Sequence, residues 1–302
     1  MKHIIELKEG LEFLKTVESK SVDLVLTDPP YITSRETGMN KWVDHVNKQD
    51  SLNAKQAKTI EEWNSYKTPE EWVKFFENSK LKDKSRWPQE LGKMKENYLK
   101  YGSIYGKKYA VKTDYGEWDS EFTLETLDKF ISEFYRVLRK GGTAIIFFDL
   151  WKITNLKDML EGNKFKQLRF IEWIKTNPQP LNSSRNYLTN CREIALMGVK
   201  GGSPTFNSKY DNAIYMHPLQ GGKDRFHPTQ KSLKLFEDLV NKHSNPGDLV
   251  LDPFSGSGTT AVASKMHGRN FIGCEIDQDY YNKSIDRLEK TKYNLQIERE
   301  AV

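Results

Sequence analysis

Apolar positions along the chain fall into short runs of strand length, separated by polar turns and by segments with helical spacing. Residues 3–7 predict a brief strand, with Leu11, Phe13 and Leu14 on a short helix after it. Residues 22–27 form a second apolar run, closed by Asp28-Pro29-Pro30-Tyr31, where two prolines forbid further ladder pairing and stiffen the backbone. Leu127, Phe130, Ile131, Phe134 and Leu138 have helical spacing; Gly141-Gly142 is expected to stop that helix and residues 143–148 to form a buried strand. Further strands are predicted at 168–174 and 193–199, and a helix at 232–242. A strand at 249–251 leads into a glycine-rich turn and a helix, then a strand at 270–274 and a last helix from Gln278. This alternation gives an α/β class, a mostly parallel sheet with helices on both faces.

Two regions break the alternation. Residues 36–116 are rich in Lys, Glu, Asn and aromatics, and read as a helical insertion in a single catalytic domain spanning 1–302. Thr68-Pro69-Glu70-Glu71 is a capping box with proline at the first helical position, opening a helix that carries Trp72, Phe75 and Phe76. A second helix after Pro88 aligns Leu91, Met94 and Tyr98. Residues 200–226 are glycine-rich and polar and predict a loop.

At 302 residues, 37% hydrophobic and 29% charged, the chain suits a soluble protein, and its net charge of +5 permits a polyanionic partner without requiring one. Cys191 and Cys274, the two cysteines, have no paired spacing, so reduced core residues and no metal are expected. No run approaches the ~20 apolar residues of a membrane span, and no signal-peptide core is present, so a cytoplasmic location is expected.

Candidate chemistry lies at strand ends. Asp28 and Tyr31 are held at the carboxyl edge, where open α/β sheets place ligands. Far downstream, Asp252-Pro253-Phe254-Ser255-Gly256-Ser257-Gly258 joins a strand to a helix. Glycines there admit a ligand close to the backbone, but no Gly-Lys-Ser/Thr follows and the third glycine of a dinucleotide fingerprint is missing. Glu275 ends the next strand, where a carboxylate can accept from ribose hydroxyls. Asp252 either accepts from a ligand amino group or caps the turn, and Phe254 either shapes the cleft or is core.

Together these strings resemble the amino-group DNA methyltransferases that use S-adenosylmethionine, over about residues 4–35 and 117–292. The resemblance implies a Rossmann-like class I methyltransferase fold in the family's β-type, circularly permuted motif order, since the catalytic string comes first and the cofactor loop last. Asp28, Pro29, Pro30 and Tyr31 match the catalytic motif, implying acceptors at Asp28 and the Pro29 carbonyl with Tyr31 stacking on a flipped base. Phe254, Ser255, Gly256, Ser257 and Gly258 match the cofactor loop, with Asp252 and Glu275 beside it. His227-Pro228-Thr229-Gln230-Lys231 matches the segment that holds the methionine end of the cofactor, which gives that role to Thr229 and Lys231. Where the family shows Gly-Asp after the first strand, this chain has Lys8-Glu9, so Glu9 stands in place of the Asp.

Double-stranded DNA is the implied partner; a cognate restriction endonuclease is compatible, and monomer and dimer stay open. Phosphate contact is assigned to Lys80, Lys82, Lys84 and Arg86 of the insertion, with Trp42, Trp63, Trp87, Tyr101 and Tyr105 as stacking candidates. Residues 178–226 are the other candidate for target recognition, with Gln179, Asn182, Arg185, Asn186 and Lys223. Asp at the first motif position favours adenine N6 over cytosine N4, where the family more often has Ser. It also argues against protein-amide or RNA methylation, whose enzymes tend to carry Asn there. A DNA-binding protein with a dead methyltransferase fold is disfavoured by the intact motifs.

Overall fold

The computed structural model describes residues 1–31, 58–79, 83–101, 104, 122–178, 189–221, 225–227 and 229–293. Its strands are β1 (His3–Leu7), β2 (Val22–Thr27), β3 (Leu138–Phe148), β4 (Lys166–Lys175), β5 (Arg192–Val199), β6 (Ile214–His217), β7 (Leu249–Asp252) and β8 (Asn270–Glu275). They form one sheet in the order β1-β8-β7-β2-β3-β5-β4-β6. From β1 to β3 every neighbour is parallel; β5 runs antiparallel to both β3 and β4, and β6 is parallel to β4. The expected parallel α/β sheet is therefore present, with a mixed edge.

Side chains alternate across this sheet and so create two cores. Val25, Ala144, Ile146 and Phe148 face α1 (Gly10–Thr16), α5 (Leu124–Val137) and α6 (Ile153–Gly162). Leu24, Leu26, Ile145 and Phe147 face α7 (Leu233–His243), α8 (Thr259–Met266) and α9 (Gln278–Lys290) on the other side. Phe130, Phe134, Phe147 and Phe236 are fully buried, each contributing about 1.5–3 kcal/mol of hydrophobic stabilisation.

Two sequence expectations change. Helix α5 ends at Val137, ahead of Gly141-Gly142, and β3 starts at once with Leu138. The glycines lie in a bulge: Val22 pairs with Leu138, but Leu24 pairs with Thr143. Gly141 has φ of +80°, and a Cβ there would lie 2.4 Å from the Ser203 carbonyl oxygen, so only glycine fits. Residues 200–226, expected as loop, contain the edge strand β6.

Contacts divide the chain into two compact units, residues 1–32 with 117–302, and residues 33–116. In the second, α2 (Ile60–Asn64), α3 (Pro69–Glu77) and α4 (Trp87–Tyr101) gather around Trp63, Tyr98 and Ile104, with Trp72, Phe75, Leu91 and Met94 packed against them. The capping box at Thr68 is formed in both directions.

Candidate active site

β8, β7 and β2 are parallel neighbours, so their carboxyl ends bring Glu275, Asp252 and Asp28 to one edge of the sheet. A buried lock ties two of these ends together. Asp252 Oδ1 accepts from Thr27 Oγ1 at 2.7 Å and from the Phe254 N–H at 3.1 Å, while Oδ2 accepts from Thr260 Oγ1 at 2.5 Å. Only 3% exposed, Asp252 has its carboxyl pushed up to about 6, chiefly by burial. Of the two roles left open for it, the structure displays the cap on the glycine turn.

Gly256 and Gly258 have φ of +50° and +71°, and a Cβ on Gly258 would come within 3.1 Å of Ser284 Cβ in α9. The loop therefore needs glycine for backbone shape and for close helix approach. Gly258 starts α8 with no side-chain cap. Glu275, 6% exposed, accepts from Gly256 N–H at 2.7 Å on one oxygen, and from Ile276 and Asp277 N–H at 3.0 and 2.9 Å on the other. A carboxylate offers about four lone-pair sites, so roughly one remains for a hydroxyl. Burial raises its pKa above the ordinary range despite these amides.

The rest of the loop is tied to the protein. Ser255 Oγ donates to the Asp252 carbonyl, and Ser257 Oγ lies 3.0 Å from Thr259 Oγ1. Phe254, half-buried, packs against the core on Phe130 and Phe122, with ring centroids 4.5 and 5.6 Å away. Glu9 caps α1, accepting from Leu11 and Glu12 N–H, next to the Leu7–Glu275 pairing of β1 and β8. Thr229 hydrogen-bonds His227 Nδ1 through its hydroxyl at 3.1 Å. The His227 ring packs on Tyr280, and burial pushes its pKa down to about 4.

Lys231, assigned by resemblance to the methionine end of the cofactor, lies beside the catalytic string. Its ammonium, buried, sits 2.7 Å from Asp28 Oδ2, 2.8 Å from Glu193 Oε2 and 3.3 Å from the Tyr31 hydroxyl. Tyr31 also meets Phe148 edge-on and has the ammonium over its ring at 5.1 Å. Pro29 is buried and Pro30 half-buried beside it. Asp28 Oδ1 is buried and has no hydrogen-bond partner among the described residues. Burial raises the Asp28 pKa, opposed by Lys231. Glu193 is the residue that sequence reasoning missed; the only signal was a charged pair, Arg192-Glu193, opening an apolar strand.

Of the expected DNA contacts, Lys80, Lys82, Arg185, Asn186 and Lys223 lie outside the described residues, as do Gln179 and Asn182. Arg86 is exposed. Lys84 Nζ donates to the Phe76 carbonyl at 2.7 Å and to Ser79 Oγ at 3.0 Å, closing the carboxyl end of α3. The described residues contain no cluster of His, Cys, Asp or Glu able to hold a metal, and no helix long and apolar enough to cross a membrane.

A paired carboxylate at the end of β2 and a glycine loop after β7 are thus locked together through Thr27. The DNA methylase family, of N6 and N4 methyltransferases, matches residues 103–286. The chain belongs to the DNA methylase family. This DNA methylase is 34% identical over 201 residues to the Type II methyltransferase M2.DpnII of Streptococcus pneumoniae, covering 60% of this chain and 74% of the relative. Its fold is that of the M1.HpyAVI–SAM complex, with a TM-score of 0.56 and 23% identity, over 94% of this chain and 98% of the other. It is also that of PvuII DNA methyltransferase (cytosine-N4-specific), with a TM-score of 0.60 and 15% identity, over 99% and 91%. The methylase thus has the Rossmann-like methyltransferase fold.

Proposed function

We propose that the chain is a site-specific DNA adenine-N6 methyltransferase that uses S-adenosylmethionine and acts on a flipped base. The observation that carries this reading is Asp28 Oδ1, a buried acceptor at the carboxyl edge with no donor among the described residues, while Oδ2 is held by Lys231. An acceptor left bare in a buried site is costly unless a ligand supplies the donor. An exocyclic amino group is such a donor. Asp28 Oδ1 accepts one of its hydrogens and the Pro29 carbonyl the other, which localises the nitrogen lone pair and aims it at the methyl carbon. Bound S-adenosylmethionine supplies that carbon already activated on a sulfonium. As nitrogen gains the methyl group it becomes acidic, and Asp28 is placed to take the released proton and pass it to solvent.

Tyr31 stacks on the base from the ring face opposite Lys231. A base paired inside a duplex cannot reach this edge, so flipping is part of the reading. The fit of the cofactor rests on Glu275, whose remaining lone pair suits one ribose hydroxyl, and on the glycine turn with its uncapped helix start. The order of the two motifs supports the permuted arrangement. Phosphate contact by the 33–116 unit is included in the proposal, with Arg86 the described candidate.

The fold shared with a cytosine-N4 enzyme does not choose the base; Asp28 at the first motif position favours adenine. Asp28→Ala is expected to fold and bind S-adenosylmethionine and DNA, yet lose turnover by several orders of magnitude. Asp28→Asn keeps one acceptor and should retain a trace of activity. Mass spectrometry of digested DNA decides the base: N4-methylcytosine alone would overturn the adenine reading, and no methylated base would overturn DNA methylation.

A further inference from the structure

Glu193 belongs to no motif, yet it is in the middle of a partly buried line of charges. Lys175 Nζ, from the end of β4, lies 2.7 Å from Glu193 Oε1. Glu193 Oε2 takes Lys231 Nζ at 2.8 Å, and Lys231 reaches Asp28 Oδ2 at 2.7 Å. Signs alternate along the line, two positive and two negative. The three donors of Lys231 meet three acceptors, on Asp28, Glu193 and Tyr31. No donor of this ammonium is left for a cofactor carboxylate.

A lysine stem is flexible and does not by itself fix the carboxylate it touches. Two anchors fix this one. With Glu193 in place, the ammonium sits between two carboxylates and takes a single oxygen of Asp28. Without it, the ammonium can slide across to bridge both oxygens and occupy Oδ1, the one acceptor kept bare.

We infer that Glu193 is a positioning residue for methyl transfer, anchoring Lys231 so that it holds Asp28 Oδ2 and leaves Oδ1 to the acceptor amino group. This rests on the reading of Asp28 as the amino-group acceptor. The charges facing Asp28 support it: Lys231 holds its pKa down, while burial, first, and Glu193 hold it up, with the Tyr31 hydroxyl on the same side as Lys231 and Asp252 the carboxylate it repels across the edge. Glu193 itself is kept below the ordinary range because Lys231 and Lys175 outweigh its burial.

The test compares Glu193→Leu, Glu193→Gln and Lys231→Met. Leu removes the anchor and should lower kcat by about 10- to 100-fold, the scale of misplacing a reacting group, with cofactor affinity unchanged. Gln keeps an acceptor for Lys231 and should restore most of the turnover. It also removes a negative neighbour of Asp28, so the acid limb of kcat moves to lower pH. Lys231→Met removes the cation, and the limb moves to higher pH. Carbon NMR of the Asp28 carboxyl reads the same two opposite displacements without turnover, which covers a Leu variant that fails to fold. Wild-type turnover in folded Glu193→Leu, or an Asp28 midpoint unmoved in both other variants, overturns the inference. Asp28→Ala separates the two levels: if it stays active, the acceptor reading fails; if it is dead while Glu193→Leu is wild-type, the positioning role alone fails.

Discussion

Glu275 holds the turn after β7, and the proposed cofactor role can be separated from that one experimentally. Three backbone N–H groups converge on it from Gly256, Ile276 and Asp277. Glu275→Ala removes the proposed acceptor for a ribose hydroxyl and leaves the amides of Gly256, Ile276 and Asp277 without their partner. Hydrogen bonds to charged groups are worth about 1.5–3 kcal/mol, so S-adenosylmethionine binding should weaken by that amount. The protein alone should lose stability as well. Glu275→Gln, which still accepts from some of these amides, should recover more of the stability than of the affinity. Calorimetry with equal cofactor affinity in wild type and a folded Ala variant would remove Glu275 from the cofactor site. The same residue shows why a sequence-level assignment needs geometry: spacing puts an acid at the end of β8, but only the structure shows how much of its accepting capacity backbone amides already use.

At the scale of elements, local signals were legible and partnerships were not. The capping box at Thr68, the helical stripe from Leu127 to Phe134 and the two apolar strands β2 and β7 follow from periodicity and capping chemistry within a few residues, whereas Leu138, read as the end of that stripe, starts β3. β6 is four residues long on a sheet edge, too short for alternation to declare itself. Gly141 reads as a helix stop in sequence because glycine suits a helix end and a bulge equally. Glu193 and Lys231 lie 38 positions apart on different elements, and no single sequence brings them together. Lys84 illustrates the opposite case, a residue whose type suggested phosphate and whose surroundings show a helix cap. Its ammonium meets the carbonyls at the end of α3 and lies 4.7 Å from the Phe76 ring centroid. Lys84→Ala should therefore destabilise the insertion by ~0.5–1 kcal/mol and leave the salt dependence of DNA binding unchanged. A salt slope reduced by about one would instead place Lys84 on a phosphate.

For the whole molecule, buried titratable groups set how folding responds to acid. Burial pushes His243 down to about 4, and His227 to about 4 as well. Between 6.5 and 4 the unfolded chain then binds more protons, so their stabilisation, complete above 6.5, is lost as pH falls. Asp252 works the other way: with its folded value near 6 against an ordinary 3.8, its contribution is largest below 3.8 and declines as pH rises through 6. Two histidines against one aspartate give a net loss of ~1–3 kcal/mol from pH 7 to pH 5, His227 contributing less because it is partly exposed. Denaturant titrations at the two pH values measure this, and His243→Gln should flatten the difference. Equal stability at both would show that other groups compensate.

The sheet topology also dictates when this protein can exist at all during its synthesis. β1 and β2 pair with β8 and β7, more than 220 residues later, and the larger unit joins residues 1–32 to 117–302. A growing chain therefore carries β1 unpaired, and β2 paired only along its β3 edge, until β7 and β8 have emerged, a high-contact-order topology that folds late. Arrested nascent chains ending before β7 should be protease-sensitive at their N-terminus, and only chains that expose β8 should acquire protection there. Chaperone demand during translation is thus a property of strand order.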